Sequence, residues 1–176
     1  VQTCALPIYY VPLVVAAWKL NACTVEANGS INAGDWVVYI TEANRKNNAA
    51  GYHTEVNGVP VAYCSPKASY RTFGAFSKAF YVLKKLIHPD MYAPGLVTTI
   101  CHEIAEMLVD PAIQNFNATD AQGRHWLVEV GDHVFGSYSN FAISGINCIF
   151  PDITTPAFYD LKGTAPFSLY GGATAP

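Results

Sequence analysis

Residues 94–111 constrain this chain more than any other stretch. Leu96, Val97, Ile100, Cys101, Ile104, Ala105 and Leu108 recur at three- and four-residue steps, which places them on one apolar face of a helix. Pro94 fits a first helical turn, where a missing N–H costs nothing. Pro111 disfavours helical geometry at Asp110 and marks the stop. On such a helix His102 and Glu106 are i and i+4 and project from one face a turn apart. An imidazole and a carboxylate at that spacing can hold one metal ion. Glu103 points about 100° round the axis, close enough to reach a water on that ion. The same residues also fit an amphipathic helix whose His102, Glu103 and Glu106 form a solvated polar face.

At 176 residues the chain reads as one domain with room for a substantial core. Only 13% of residues are charged against 51% hydrophobic, so much of it is buried or its surface is covered by something. The net charge of −3, with 10 Lys+Arg and no basic run longer than a pair, argues against nucleic-acid binding. The 5 cysteines are widely spaced and contain no CxxC pair. Free, buried thiols are therefore expected rather than a disulfide framework or a thiolate zinc site. No stretch reaches the 18 or so apolar residues of a membrane span. Residues Val1 to Ile8 look like the translation of a common sequencing adapter and are set aside from fold reasoning. The expected domain is 9–176, truncated at its N-terminus.

In chain order, Tyr9 to Leu20 reads as the tail of a helix packing on a sheet, Cys23–Glu26 as a short strand and Trp36–Ile40 as a buried strand. Gly51–Val56 and Val59–Cys64 flank Asn57-Gly58, the signature of a two-residue hairpin with both turn residues at positive φ. Pro60 cannot donate to a ladder, which predicts an edge there. That edge either lines a cleft and lends it His53, or leaves His53 exposed on a plain hairpin. Residues 73–87 have the period of a second amphipathic helix, and His88 follows in a loop. His125 to His133 reads as a strand with Glu129 on the face of Leu127, opposite Trp126, Val128 and Val130. A carboxylate in so apolar a strand needs a partner, and a cation, an ion pair or an edge position would each supply relief. Residues 146–150 form another strand, 151–160 an ordered turn, and the Gly/Pro-rich tail from Gly163 drapes over the domain.

Four segments in order resemble a family of uncharacterised zincin-like metallopeptidases of bacteria and phages with an HExxE motif. They are Gly51-Tyr52-His53, Cys101-His102-Glu103-Ile104-Ala105-Glu106-Met107-Leu108-Val109-Asp110-Pro111, Glu129-Val130-Gly131-Asp132, and Ile153-Thr154-Thr155-Pro156-Ala157-Phe158-Tyr159. The chain departs from the pattern in Cys101 for a serine, His133 for a proline and Phe135 for a final acid. The helical HExxH zinc proteases share the geometry, with a histidine where Glu106 stands.

The residues and the resemblance together imply an α+β, zincin-like fold, a small twisted mixed sheet packed on an active-site helix. They imply Zn²⁺ held by His102, Glu106 and a third ligand from Glu129 or Asp132. Glu129 is slightly favoured, because Asp132 could orient His102 instead. Three ligands leave a fourth position for water, as catalytic zinc requires. Glu103 is the expected general base for peptide hydrolysis through the metal-bound water, and His53 a candidate for oxyanion stabilisation. The substrate would be a peptide or protein, laid along the hairpin edge as an added strand. The alternative is a non-catalytic structural or binding domain of a larger assembly, such as a phage particle, that keeps a zincin core.

Overall fold

The computed structural model describes residues 5–26, 30–42, 49–66, 69, 95–111, 113, 117–119, 123–143, 146–159 and 166–173. The second helix expected over 73–87 and His88 lie outside the described residues. The architecture is α+β: a small twisted mixed sheet packed against a buried helix, with a second helix and two short β-ribbons around it.

Helix α1 (Ala5–Trp18) contains Pro12 and takes in four of the residues set aside on sequence. Pro7, Tyr10, Val11 and Val14 are buried at helical spacing, and this face packs on the central helix more than on a sheet. Two side chains fasten it at the far end of the chain. Tyr10 Oη donates to the Pro151 carbonyl at 3.1 Å and Trp18 Nε1 to that of Thr154 at 2.8 Å.

Strands β1 (Val37–Ile40), β2 (Gly51–Val56) and β3 (Val59–Cys64) form a sheet in the order β1-β3-β2, β1 parallel and β2 antiparallel to β3. The turn at Asn57 (φ 53°) and Gly58 (φ 79°) has the two positive φ values its sequence demands. β3 is the central strand, not an edge. Pro60 escapes conflict because β1 begins pairing one residue later, at Val61, so its nitrogen is asked for no bond on that side. Among the described residues the edges are β1 and β2. β1 is only half covered: Tyr39 is 41% and Ile40 55% exposed, against the expectation of a buried strand. The residues Cys23–Glu26 are not a strand.

Pleating sorts this sheet into two faces. Val38, Ala62 and His53 lie abreast on the face toward the helix. On the other, Tyr39, Tyr63 and Tyr52 stack in a row with ring centroids 5.2 Å apart.

Helix α2 (Leu96–Val109) has Gly95 as its N-cap and Asp110 as its C-cap, so it stops before Pro111 as expected but begins after Pro94, expected in its first turn and outside the described residues. Its apolar residues serve two packing clusters. Cys101 and Ala105 join Tyr10, Val14, Val128, Val130, Phe150 and Ile153, while Ile100 and Ile104 join Val11 and Cys64. Thr98, Thr99, Glu103 and Glu106 are buried as well. The helix is enclosed nearly all round, which disposes of the solvated polar face.

β4 (Asn117–Thr119) pairs with β5 (His125–Leu127). The strand expected to reach His133 ends at Leu127, although its alternation persists: Val128 and Val130 are fully buried and Glu129 half-buried. A 3₁₀ turn follows at Asp132–Val134. β6 (Tyr138–Ile143) and β7 (Ile146–Pro151) form the second ribbon, and a 3₁₀ turn follows at Pro156–Tyr159. The tail bridges back, Ser168 pairing with Thr154. None of the described cysteines is in a disulfide; Cys64 and Cys101 are buried, but Cys23 is exposed.

Candidate metal centre

Three elements deliver the side chains. Helix α2 supplies His102, Glu103 and Glu106, strand β2 supplies His53, and the turn after β5 supplies Asp132. The turn is held in place by its backbone. Thr154 N–H and Oγ1 both donate to the Val130 carbonyl, at 2.8 and 3.2 Å, and the Thr154 hydroxyl also meets Tyr159 Oη at 2.8 Å. Gly131 is therefore pressed against the His102 ring, and its N–H donates to Glu106 Oε1 at 3.3 Å.

Two glycines make these approaches possible. A Cβ on Gly131 would collide with His102 Nδ1, and one on Gly51 with the Glu103 carboxylate. Neither was singled out from the sequence as a packing requirement. The available signal was their position inside the Gly-Tyr-His and Glu-Val-Gly-Asp segments.

Glu106 is the hinge of the arrangement. Its Oε1 lies 3.1 Å from His102 Nε2, which also lies 3.2 Å from Asp132 Oδ1. Its Oε2 lies 3.5 Å from His53 Nδ1, and that nitrogen is 3.8 Å from Glu103 Oε2. Among the described residues two sets of ligand atoms converge within 4.8 Å of one another: His102–Glu106–Asp132 and His53–Glu103–Glu106. Glu129 belongs to neither set, yet its carboxyl senses the charges of Glu106, His53 and Asp132. Of the six residues expected at the site, five thus sit in these two sets and the sixth is an electrostatic neighbour.

The electrostatics are those of charge packed into a poorly solvated space. Burial by itself would raise Glu106, but His102 and His53 outweigh it and hold that carboxyl down at about 2. Glu103 goes the other way, raised by burial and by the neighbouring Glu106 charge. Burial works against a charged His53, yet Glu103 and Glu106 lift it to about 10. His102 is likewise raised against its burial, by Glu106 and Asp132. Glu129 is pushed up to about 7, by burial first and Glu106 second.

The spacing suits a cation. Two donors each about 2.1 Å from a tetrahedral zinc lie about 3.4 Å apart, and the His102 contacts of 3.1 and 3.2 Å differ little from that. A cation would also relieve the mutual repulsion of acids that are otherwise costly to bury. A cleft of about 260 Å³ opens onto this corner, lined by His102, Glu103 and Asp132, by residues 49–51 leading into β2, and by Thr98, Thr99, Ser137 and Asp152. Glu106 and His53 lie behind it. Asp152, unremarked in the sequence, is 1% exposed and accepts N–H bonds from Ile153, Tyr170 and Gly172 at 2.8–2.9 Å, so it ties the tail to the cleft wall.

Comparison of the chain with protein-family models, curated proteins and solved structures gave no match. The site therefore stands on its residues. Among the described residues, no helix is long and apolar enough to cross a membrane.

Proposed function

We propose that the chain is a metal-dependent hydrolase of the zincin type acting on peptide bonds. The observation that carries this reading is the convergence of His102, Glu106 and Asp132, two of which, His102 and Asp132, line a cleft together with Glu103. His102 Nε2, Glu106 Oε1 and Asp132 Oδ1 would hold the zinc, the third place going to Asp132 in preference to Glu129 because only Asp132 is in hydrogen-bonding range of His102. When bound, zinc supplies Lewis acidity and acidifies a water in its open position.

The chain's own groups do the rest. Glu103, buried beside a like charge, has the raised proton affinity a general base needs, and it would pass the proton it takes to the leaving amine. His53, charged between two carboxylates and outside the cleft lining, would hold Glu103 and Glu106 in their rotamers rather than meet developing negative charge on the substrate. The substrate backbone would add to the edge of β2 that pairs with no strand among the described residues, whose Gly51 end borders the cleft.

The test is cleavage of a mixed peptide library by the zinc-loaded protein and by Glu103→Gln. Loss of cleavage by 10³-fold or so, with the zinc on His102 retained, is the expected result. A zinc-loaded protein that cleaves nothing would return the chain to a binding or structural domain.

A further inference from the structure

The two oxygens of Glu106 face different partners. Oε1 is turned to His102, and Oε2 to His53. A carboxylate so placed is set to bridge two cations, one on each oxygen. The inner set, His53–Glu103–Glu106, shows a second and independent sign of a missing ligand. Glu103 Oε2 is buried and has no hydrogen-bond partner among the described residues, in a side chain only 6% exposed. Buried polar atoms are nearly always satisfied. The Nδ1–Oε2 separations of 3.5 and 3.8 Å are long for charge-assisted hydrogen bonds, which run to about 2.9 Å, and close to the ~3.4 Å between neighbouring ligands of a tetrahedral ion.

We propose that His53 Nδ1, Glu103 Oε2 and Glu106 Oε2 form a second, inner site for a divalent cation, joined to the outer one through the Glu106 carboxylate. The proposal rests on the preceding reading only for the outer position. It has a consequence for Glu103. With the outer site alone filled, that carboxylate is free to act as base; with the inner site filled, its oxygen is occupied. Hydrolysis should therefore rise with the first equivalent of zinc and fall with the second.

The test uses zinc alone, added to the metal-stripped protein, with stoichiometry from equilibrium dialysis and the extended X-ray absorption fine structure at the zinc edge of the loaded sample. Wild type should take up two equivalents, with a zinc–zinc distance of about 3.5–4 Å. His53→Ala and the nearly isosteric Glu103→Gln should each bind one and lose the zinc–zinc signal. One equivalent in wild type, retained by both variants and lost in His102→Ala, overturns the inner site and leaves the outer one standing. A second equivalent indifferent to His53 and Glu103 overturns it equally. No zinc at all removes both sites.

Discussion

Replacing Gly131 by alanine isolates a single physical effect. The backbone at Gly131 has φ −89° and ψ −32°, which any residue adopts, so alanine brings no backbone strain. It also keeps the N–H that donates to Glu106. What it adds is a methyl group 2.5 Å from His102 Cε1 and 3.0 Å from Cγ, against roughly 3.5 Å for an ordinary carbon contact. The ring must retreat by about 1 Å, whereas metal–ligand bonds tolerate displacements of about 0.2 Å. The turn cannot yield instead without breaking both Thr154 bonds to Val130. The expected outcome is a fall in outer-site zinc affinity of about 100-fold, or ~2.7 kcal/mol. The assay is competition with a chromophoric chelator, with the thermal midpoint of the metal-free protein as a control on folding. Wild-type zinc affinity in a well-folded Gly131→Ala protein would refute the placement of His102.

Other outcomes follow from the same geometry. Glu129 has its carboxyl raised from 4.5 to about 7 in the metal-free fold, so folding favours its protonated form. Its contribution is full below about pH 4.5 and lost as the pH rises through about 7. Because the group is half-exposed, screening reduces that loss from about 3 to about 1 kcal/mol. Glu129→Gln should therefore gain about 1 kcal/mol over wild type at pH 8 and nothing at pH 4.5 in urea unfolding without metal; a difference independent of pH would contradict the assignment. Asp152→Ala deletes three N–H bonds to a buried carboxylate and should cost about 3 kcal/mol. It should also expose residues 166–173 to proteolysis, and unchanged protection would show that the tail is held by other contacts. Tyr10→Phe leaves the Pro151 carbonyl without its donor and should cost about 1 kcal/mol in the same unfolding assay; no change would mean that water replaces the bond.

Where local physics decides the outcome, the chain is legible. Two prolines and a 3.6-residue period bound α2 within a residue or two, and Asn57-Gly58 admits only one turn. His102 and Glu106 follow from helical spacing alone. What escaped depends on distant parts of the chain. β1 reads as buried from its β-branched and aromatic residues, yet Tyr39 and Ile40 stay exposed at the sheet's edge. β6 carries Ser139, Asn140 and Ala142 and offers no hydrophobic run, so it exists because β7 pairs with it. The strand through Glu129 stops at Leu127 because the chain must turn there to bring Gly131 against His102. For that reason Glu129 and Asp132 could not be ranked from spacing. The approach of His53 to Glu106, 53 residues later in the chain, is a matter of how β2 lies on α2, which no local pattern encodes.

The central claim is that His102, Glu106 and Asp132 together hold a divalent ion. Zinc content after loading and exhaustive dialysis, measured by mass spectrometry on wild type and on His102→Ala, tests it most directly. The wild-type chain should retain zinc and the variant one equivalent less. Equal content in the two proteins, or none in wild type, would contradict the account.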